Sequence, residues 1–366
     1  MRPKNLFDGL ILIALALAPY YLSAYHLSLL GRFLALAILS LGLVVTWGWG
    51  GILSLGQGVF FGLGGYVLAM HMKLENLSPG DLPDFMMWSG LDSLPKWWAV
   101  FRSPGLTLAC VVLVPLAVAA VLGWLMFHRR VSGVYFALIT QALALAFSTL
   151  LISQQSYTGG FNGLTDFSAI LGYSVNGPNF ERALYWVTLG LLTASFILCQ
   201  WLRQTNFGKV LVAIRDGENR VRFLGYNAMA FKTVAFAVGG ALAGIAGALY
   251  TLHLGDISPA MVGVVPSIEM VVAVAVGGRE SLTGVILGTL LVNFGKDWIS
   301  SAIPELWLFV MGALFVLVVT VMRGGIAGLA EVPFRVLKSR RPKKSVRIPS
   351  GVAVQQEADA QKTAKA

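Results

Sequence analysis

The chain has 366 residues and is 57% hydrophobic, with 12% charged residues, a mean hydropathy of +0.75 and a formal net charge of +10. A soluble domain must cover its core with polar groups, and soluble proteins are about 25% charged. The composition therefore excludes a soluble enzyme, a disordered chain and a fibrous repeat. It predicts an integral membrane protein of the all-α, polytopic class.

Apolar runs long enough to cross a bilayer as helices, about 20 residues each, occur ten times along the chain. When spans are counted from a cytoplasmic N-terminus, 21 of the 27 lysines and arginines lie on the inner side. This asymmetry follows the positive-inside rule and predicts that both termini lie in the cytoplasm. The predicted spans are 7–25, 28–47, 50–72, 104–127, 133–153, 183–201, 231–252, 266–277, 282–300 and 304–322.

Residues 1–330 form the predicted transmembrane domain, and residues 331–366 form a basic tail that is predicted to be disordered. The tail suits either contact with anionic lipid or simple solvation. Because the basic residues lie beside spans and in this tail, the net charge indicates orientation and not nucleic-acid binding. Two cysteines and four scattered histidines predict neither a metal site nor a catalytic site.

Glycine clusters predict irregular backbone at two inner helix ends. The motif GGxxSL occurs at 50–55 and again at 277–282, and glycine-interrupted internal repeats are typical of transporters. Polar side chains inside spans are costly, so they indicate either hydrogen bonds between helices or a polar pathway for a solute. The predicted pathway residues are Ser54, Gln57, Gln141, Ser267 and Glu269.

The longest predicted inner loop, residues 203–230, is polar but contains regularly spaced apolar residues. Such spacing predicts short amphipathic helices that dock on another protein. The sequence has no phosphate-binding loop, since neither Gly208–Lys209 nor Gly295–Lys296 has the required glycine five residues earlier. It also lacks the series of intramembrane ionisable residues that a proton-driven carrier needs. Transport would therefore be powered by a separate ATPase subunit.

Three segments carry a resemblance to a known family. Residues 213–250 (AIRDGENRVRFLGYNAMAFKTVAFAVGGALAGIAGALY) resemble the coupling segment of LivM-like permeases, the branched-chain amino acid group of ATP-binding-cassette (ABC) importers. TGGFNGL at 158–164 resembles the outer-loop motif of that group. Residues 258–298, together with PELWLFVMGALFVLV at 304–318, resemble more closely the urea-transporter permease subunit within it.

The resemblance implies an importer permease fold, a location in the bacterial inner (cytoplasmic) membrane and a set of partners. A periplasmic binding protein would deliver the solute, a paralogous permease would complete the pathway, and two cytoplasmic ATPase subunits would hydrolyse ATP, with no cofactor bound by this chain. The coupling segment would contact the ATPase through Arg215, Asp216 and Glu218, followed by Gly225. The outer-loop motif contributes Thr158, Gly159, Gly160 and Gly163. The chain departs from its relatives at Glu280, where glycine is common.

Two solutes remain open. Urea is neutral and needs only hydrogen-bond donors and acceptors, whereas an amino acid zwitterion needs compensating charges. The sequence places no lysine or arginine at the expected constriction, which favours urea, with branched-chain amino acids as the alternative. A channel is less well supported, because no ring of carbonyls or charges of the filter type can be recognised.

Overall fold

A computed structural model of the protein describes residues 3–75, 77–78, 81–175, 177–303, 305–320 and 324–328. Residues 1–328 form one compact unit. The predicted basic tail, residues 331–366, lies outside the described residues.

The described residues form fourteen α-helices and one small antiparallel pair of strands. The helices are α1 Pro3–Tyr21, α2 Ala24–Leu43, α3 Gln57–Glu75, α4 Asp84–Trp88, α5 Lys96–Ala99, α6 Pro104–His128, α7 Val134–Ser153, α8 Gln155–Thr158, α9 Pro178–Gln204, α10 Asn206–Phe223, α11 Ala228–Leu254, α12 Val264–Gly277, α13 Leu282–Ala302 and α14 Leu306–Thr320. The strands β1 Ala169–Ile170 and β2 Tyr173–Ser174 pair with each other in the loop before α9.

Ten of these helices coincide with the ten predicted spans: α1, α2, α3, α6, α7, α9 and α11 to α14. Among the described residues, six stretches are long and apolar enough to cross a membrane by length and composition alone: Ala24–Trp49, Pro104–His128, Val134–Ser153, Asn179–Gln204, Ala228–Leu254 and Pro259–Gly277. The polytopic helical class is therefore confirmed.

The third predicted span, 50–72, is corrected at its inner end. After α2, the chain continues as a π-helix, Val44–Trp49, and then runs without helical structure from residue 51 to residue 56. Gly51 has a φ of +68°, a left-handed conformation that glycine adopts without a steric penalty. Only at Gln57 does α3 begin. The glycine break thus separates two helices instead of interrupting one.

Helix α11 is the centre of the bundle and packs on α2, α3 and α6. Its small residues allow close contact: a Cβ at Gly247 would overlap the carbonyl oxygen of Phe61, and one at Gly244 would lie 2.6 Å from that of Val111. Small residues at helix contacts are the usual means of tight packing within a membrane. Helices α6 and α7 instead leave many large apolar side chains exposed, as expected for a surface that faces lipid.

Candidate functional site

The two GGxxSL segments meet at one end of the bundle. A Cβ at Gly48, just before the first segment, would overlap the carbonyl oxygen of Arg279 in the second. The Arg279 guanidinium lies 5.6 Å from the ring centre of Trp47, which is cation–π distance. The turns before α3 and before α13 are therefore packed against each other. Their shared sequence motif alone did not predict this contact.

Arg215 of the coupling segment touches both turns. Its Nη1 donates a hydrogen bond to the Gly48 carbonyl and forms an ion pair with Glu280 Oε1 at 2.8 Å, while its Nε lies 2.9 Å from Asp216 Oδ1. The aliphatic part of the same side chain covers Gly51. Helix α10 thus contacts the broken backbone before α3 directly.

The other predicted coupling residues have different roles in the structure. Glu218 forms ion pairs with Arg222 and Lys232, so it ties α10 to α11. Burial alone would raise the pKa of Glu218, but these two cations outweigh it and hold the pKa below its usual value. Gly225 lies just after the end of α10, with a φ of +88° and open space around it.

Beside Gly225, three aromatic and aliphatic side chains face outward. Phe223 is 90% exposed, and Leu224 and Tyr226 are also exposed. Exposed apolar side chains on a polar loop are typical of a contact surface for another protein.

Three of the five predicted pathway residues lie together at the break before α3. Ser54, Gln57 and Ser267 are all buried, and Ser267 Oγ accepts a hydrogen bond of 3.1 Å from the backbone N–H of Gly58. Ser54 Oγ accepts from the N–H of Gly56. This places the side chains of the break against α12.

Gln57 is unusual within this group. It is only 1% exposed, yet within the described chain both its amide oxygen and its amide nitrogen lack a hydrogen-bond partner. Buried polar atoms without partners are rare and costly, about 1–3 kcal/mol each. A free amide at the first residue of a helix after irregular backbone is therefore a candidate contact for a polar solute.

Sequence reasoning named Gln141 on α7, but its neighbour Thr140 makes the contact with the break. Thr140 Oγ1 accepts a hydrogen bond of 3.1 Å from the N–H of Leu55. Gln141 is half-buried, and no hydrogen bond within the described residues joins it to the other four predicted pathway residues. Thr140 is another polar residue of the same apolar run, but it was not among the predicted pathway residues.

Glu269 lies apart from Gln57. Its Oε2 forms an ion pair with Lys296 Nζ at 2.6 Å, and its Oε1 accepts a 2.8 Å hydrogen bond from Trp307 Nε1. Ser267 is two residues earlier on the same helix, so the two side chains point to different faces of α12. The structure thus separates Glu269 from the group at the break before α3, and it joins Gln141 to neither by a hydrogen bond within the described residues.

Glu269 and Lys296 line a cavity of about 440 Å³ that is bounded mainly by α2, α12 and α13. Arg32 and Asp297 also line it, so the wall contains charges of both signs. The apolar part of the wall is formed by Leu29, Phe33, Leu36, Met270, Ala273 and Val292. Arg32 lies within Ala24–Trp49, a stretch able to cross a membrane, and Lys296 lies in α13, so the expectation that the spans contain no lysine or arginine is wrong. In the sequence, the only indication of a cation in this wall is that Arg32 lies inside an apolar run.

The outer-loop motif forms a turn beside this cavity. Thr158 Oγ1 donates to the carbonyl of Leu151 at 2.6 Å, and Gly159, Gly160 and Gly163 all have positive φ. The next residue, Leu164, is paired through both backbone hydrogen bonds with Ile257. Because Ser258 lines the cavity, the motif anchors part of the cavity wall.

Residues 25–319 match the family described as branched-chain amino acid transport system / permease component. The chain belongs to this family. The LivM high-affinity branched-chain amino acid permease of Salmonella typhimurium is 26% identical over 339 residues, which cover 87% of this chain and 73% of the relative. The LivH permease of Escherichia coli K12 is 25% identical over 307 residues, covering 81% of this chain and 92% of the relative.

An archaeal member of the family, a probable LivM permease of Methanocaldococcus jannaschii, is 31% identical over 151 residues, or 40% of this chain and 43% of the relative. No solved structure is significantly similar to the chain. Both kinds of named permease, LivM and LivH, are thus similar to this family member over most of its length.

Proposed function

We propose that this permease is the membrane subunit of an ABC importer that moves branched-chain amino acids across the bacterial inner membrane. The observation that supports this solute is the cavity wall, which combines Arg32 and Asp297, neither of them in an ion pair among the described residues, with a large apolar surface. An amino acid zwitterion with a branched side chain needs these features, since both of its charges must be compensated when water is removed. Lys296 and Glu269 also line the cavity but are paired with each other.

Such a site fits urea less well than it fits an amino acid zwitterion. Urea has no charge, so fixed cations and anions in the wall would have to remain solvated or paired with each other while urea passes. Its donors and acceptors suit a group of uncharged hydrogen-bonding side chains such as Ser54, Gln57 and Ser267. The resemblance of residues 258–298 to urea permeases keeps urea as the competing outcome of the test below.

The partners follow from the family and from the inner face of the molecule. We place a paralogous permease beside this subunit, two ATPases against α10, and a periplasmic binding protein on the opposite face. The exposed Phe223, Leu224 and Tyr226 supply an apolar contact for the ATPase, and Arg215 lies where movement of α10 would reach the break before α3. The polar group around Gln57 and the charged cavity are the two proposed parts of the solute pathway.

The proposal is tested in proteoliposomes that contain the permease pair, both ATPases and the binding protein. We expect ATP-dependent accumulation of labelled leucine, isoleucine and valine, and no accumulation of labelled urea beyond the level in protein-free vesicles. Vesicles loaded with ADP are the control for leakage. Accumulation of urea without accumulation of leucine would contradict the proposal and would identify urea as the solute.

A further inference from the structure

Arg32 is the cation of the cavity wall whose charge is least compensated. Its Nε is buried and has no hydrogen-bond partner within the described residues, and none of the described carboxylates forms an ion pair with it. Asp256 interacts electrostatically with Arg32: burial raises the pKa of this carboxyl group, and the charge of Arg32 opposes that rise. Arg32 as a whole is half-buried, but a buried donor such as its Nε is costly to leave unpaired unless a ligand supplies the missing acceptor.

The second cation of the wall is already paired. Lys296 is bound to Glu269, and the other oxygen of that carboxylate accepts from Trp307. Because both oxygens of Glu269 are engaged, this pair offers a solute neither a free anion nor an uncompensated cation. Arg32 is therefore the group most available to an incoming anion.

The apolar surroundings of Arg32 suit one particular anion. Leu29 precedes Arg32 by three residues and Leu36 follows it by four, the spacings that place side chains next to one another on a helix, and Phe33 also lines the cavity. A guanidinium presents a planar fork that matches the two oxygens of a carboxylate. A carboxylate attached to a short branched hydrocarbon could bind the guanidinium and pack against the apolar side chains at the same time.

We infer that Arg32 binds the carboxylate of the transported solute and is the residue that selects carboxylate-bearing solutes in this cavity. This inference rests on the proposed function and narrows it to one interaction. It assigns the Glu269–Lys296–Trp307 group to holding α12, α13 and α14 together around the cavity.

Thermal unfolding of the purified importer in detergent, without binding protein, tests the inference directly. A ligand that binds the folded state raises its Tm even when binding is weak, provided that the concentration is high, about 10 mM here. The probes are leucine, 4-methylpentanoate (which keeps the carboxylate) and leucinamide (which lacks it). We expect leucine and 4-methylpentanoate to raise the Tm and leucinamide to leave it unchanged.

The variants are Arg32→Gln, Arg32→Lys and the control Arg182→Gln, which removes an exposed arginine outside the cavity. We expect Arg32→Gln to abolish the leucine shift, with affinity falling about tenfold or more, and Arg32→Lys to restore part of it. The control should behave as the wild type. A merely structural Arg32 would lower the Tm of the free protein without changing the order of the three probes.

A wild-type importer that responds equally to leucinamide and leucine, or to none of the probes, would overturn the inference, as would an unchanged leucine shift in Arg32→Gln. The uptake experiment separates these failures from that of the proposed function. If wild-type vesicles accumulate leucine while Arg32→Gln retains the leucine shift, only the role of Arg32 is lost. If vesicles accumulate urea alone, the proposed solute itself is wrong.

Discussion

Arg215 and Glu280 are 65 positions apart in the chain, and their side chains form an ion pair of 2.8 Å. The same guanidinium binds the carbonyl of Gly48, so one side chain connects the coupling helix with the turns before α3 and α13. The ion pair thus adds to the contact that the two turns already make through Gly48 and Arg279.

Charge reversal tests whether this ion pair couples ATP hydrolysis to transport. We expect Arg215→Glu to place two carboxylates together and to lower the leucine transported per ATP hydrolysed by about tenfold, while membrane insertion is unaffected. The double variant Arg215→Glu with Glu280→Arg should recover part of the coupling. Arg129→Glu, at an exposed arginine of the loop after α6, is the matched control. Normal coupling in Arg215→Glu would exclude this role.

Gly48→Ala tests the contact between the two turns. The added methyl group would overlap the Arg279 carbonyl oxygen, a backbone atom that cannot move away independently. We expect the free energy of unfolding to fall by about 1–3 kcal/mol, measured as a lower Tm in detergent. Gly190→Ala in α9 has nothing within 4 Å and should be neutral or stabilising, by up to about 1 kcal/mol. Equal Tm values for both variants would show that the turns separate easily.

Gln57→Leu tests whether Gln57 contacts the solute or has only a structural role. The amide of Gln57 is buried and unpaired, so replacing it by an apolar group of similar size should leave the Tm unchanged or raise it. If the amide contacts the solute, transport should nevertheless fall about tenfold or more. The control is Gln200→Leu, the same substitution at a half-buried position of α9. A variant with a lower Tm and normal transport would make Gln57 structural.

Gly163→Ala tests whether the outer-loop turn supports the cavity. Gly163 and Gly172 have similar φ values, +73° and +79°, so alanine is strained at both positions. Only at Gly163 would the new Cβ overlap a backbone atom, the carbonyl oxygen of Ile257. We expect Gly163→Ala to lower both the Tm and leucine transport, and Gly172→Ala to have the smaller effect. If both variants lost Tm and leucine transport to a similar extent, backbone strain alone would explain the losses.

Local patterns in the sequence were sufficient for the membrane class and for the number of long helices. Each span is an apolar run whose length matches a bilayer, and each break is a glycine cluster, so both are properties of neighbouring residues. The sequence also identified Gln57, Ser54 and Ser267 as unusual residues, because a polar side chain within an apolar run is costly in any packing arrangement. The inner end of the third span was misplaced because residues 51–56 remain apolar although their backbone is not helical.

The charge environment of the cavity was decided only by the tertiary structure. In the sequence, Lys296 stands near the end of an apolar run and Arg32 near the start of another, positions that a solvated cation also occupies. Packing of α2 against α12 and α13 turns Arg32 and Lys296 toward one cavity and leaves Glu269 in contact with Lys296. The pairing of charges depends on distances between helices that are far apart in the chain, and such distances are set by side-chain packing, not by the order of residues along each helix.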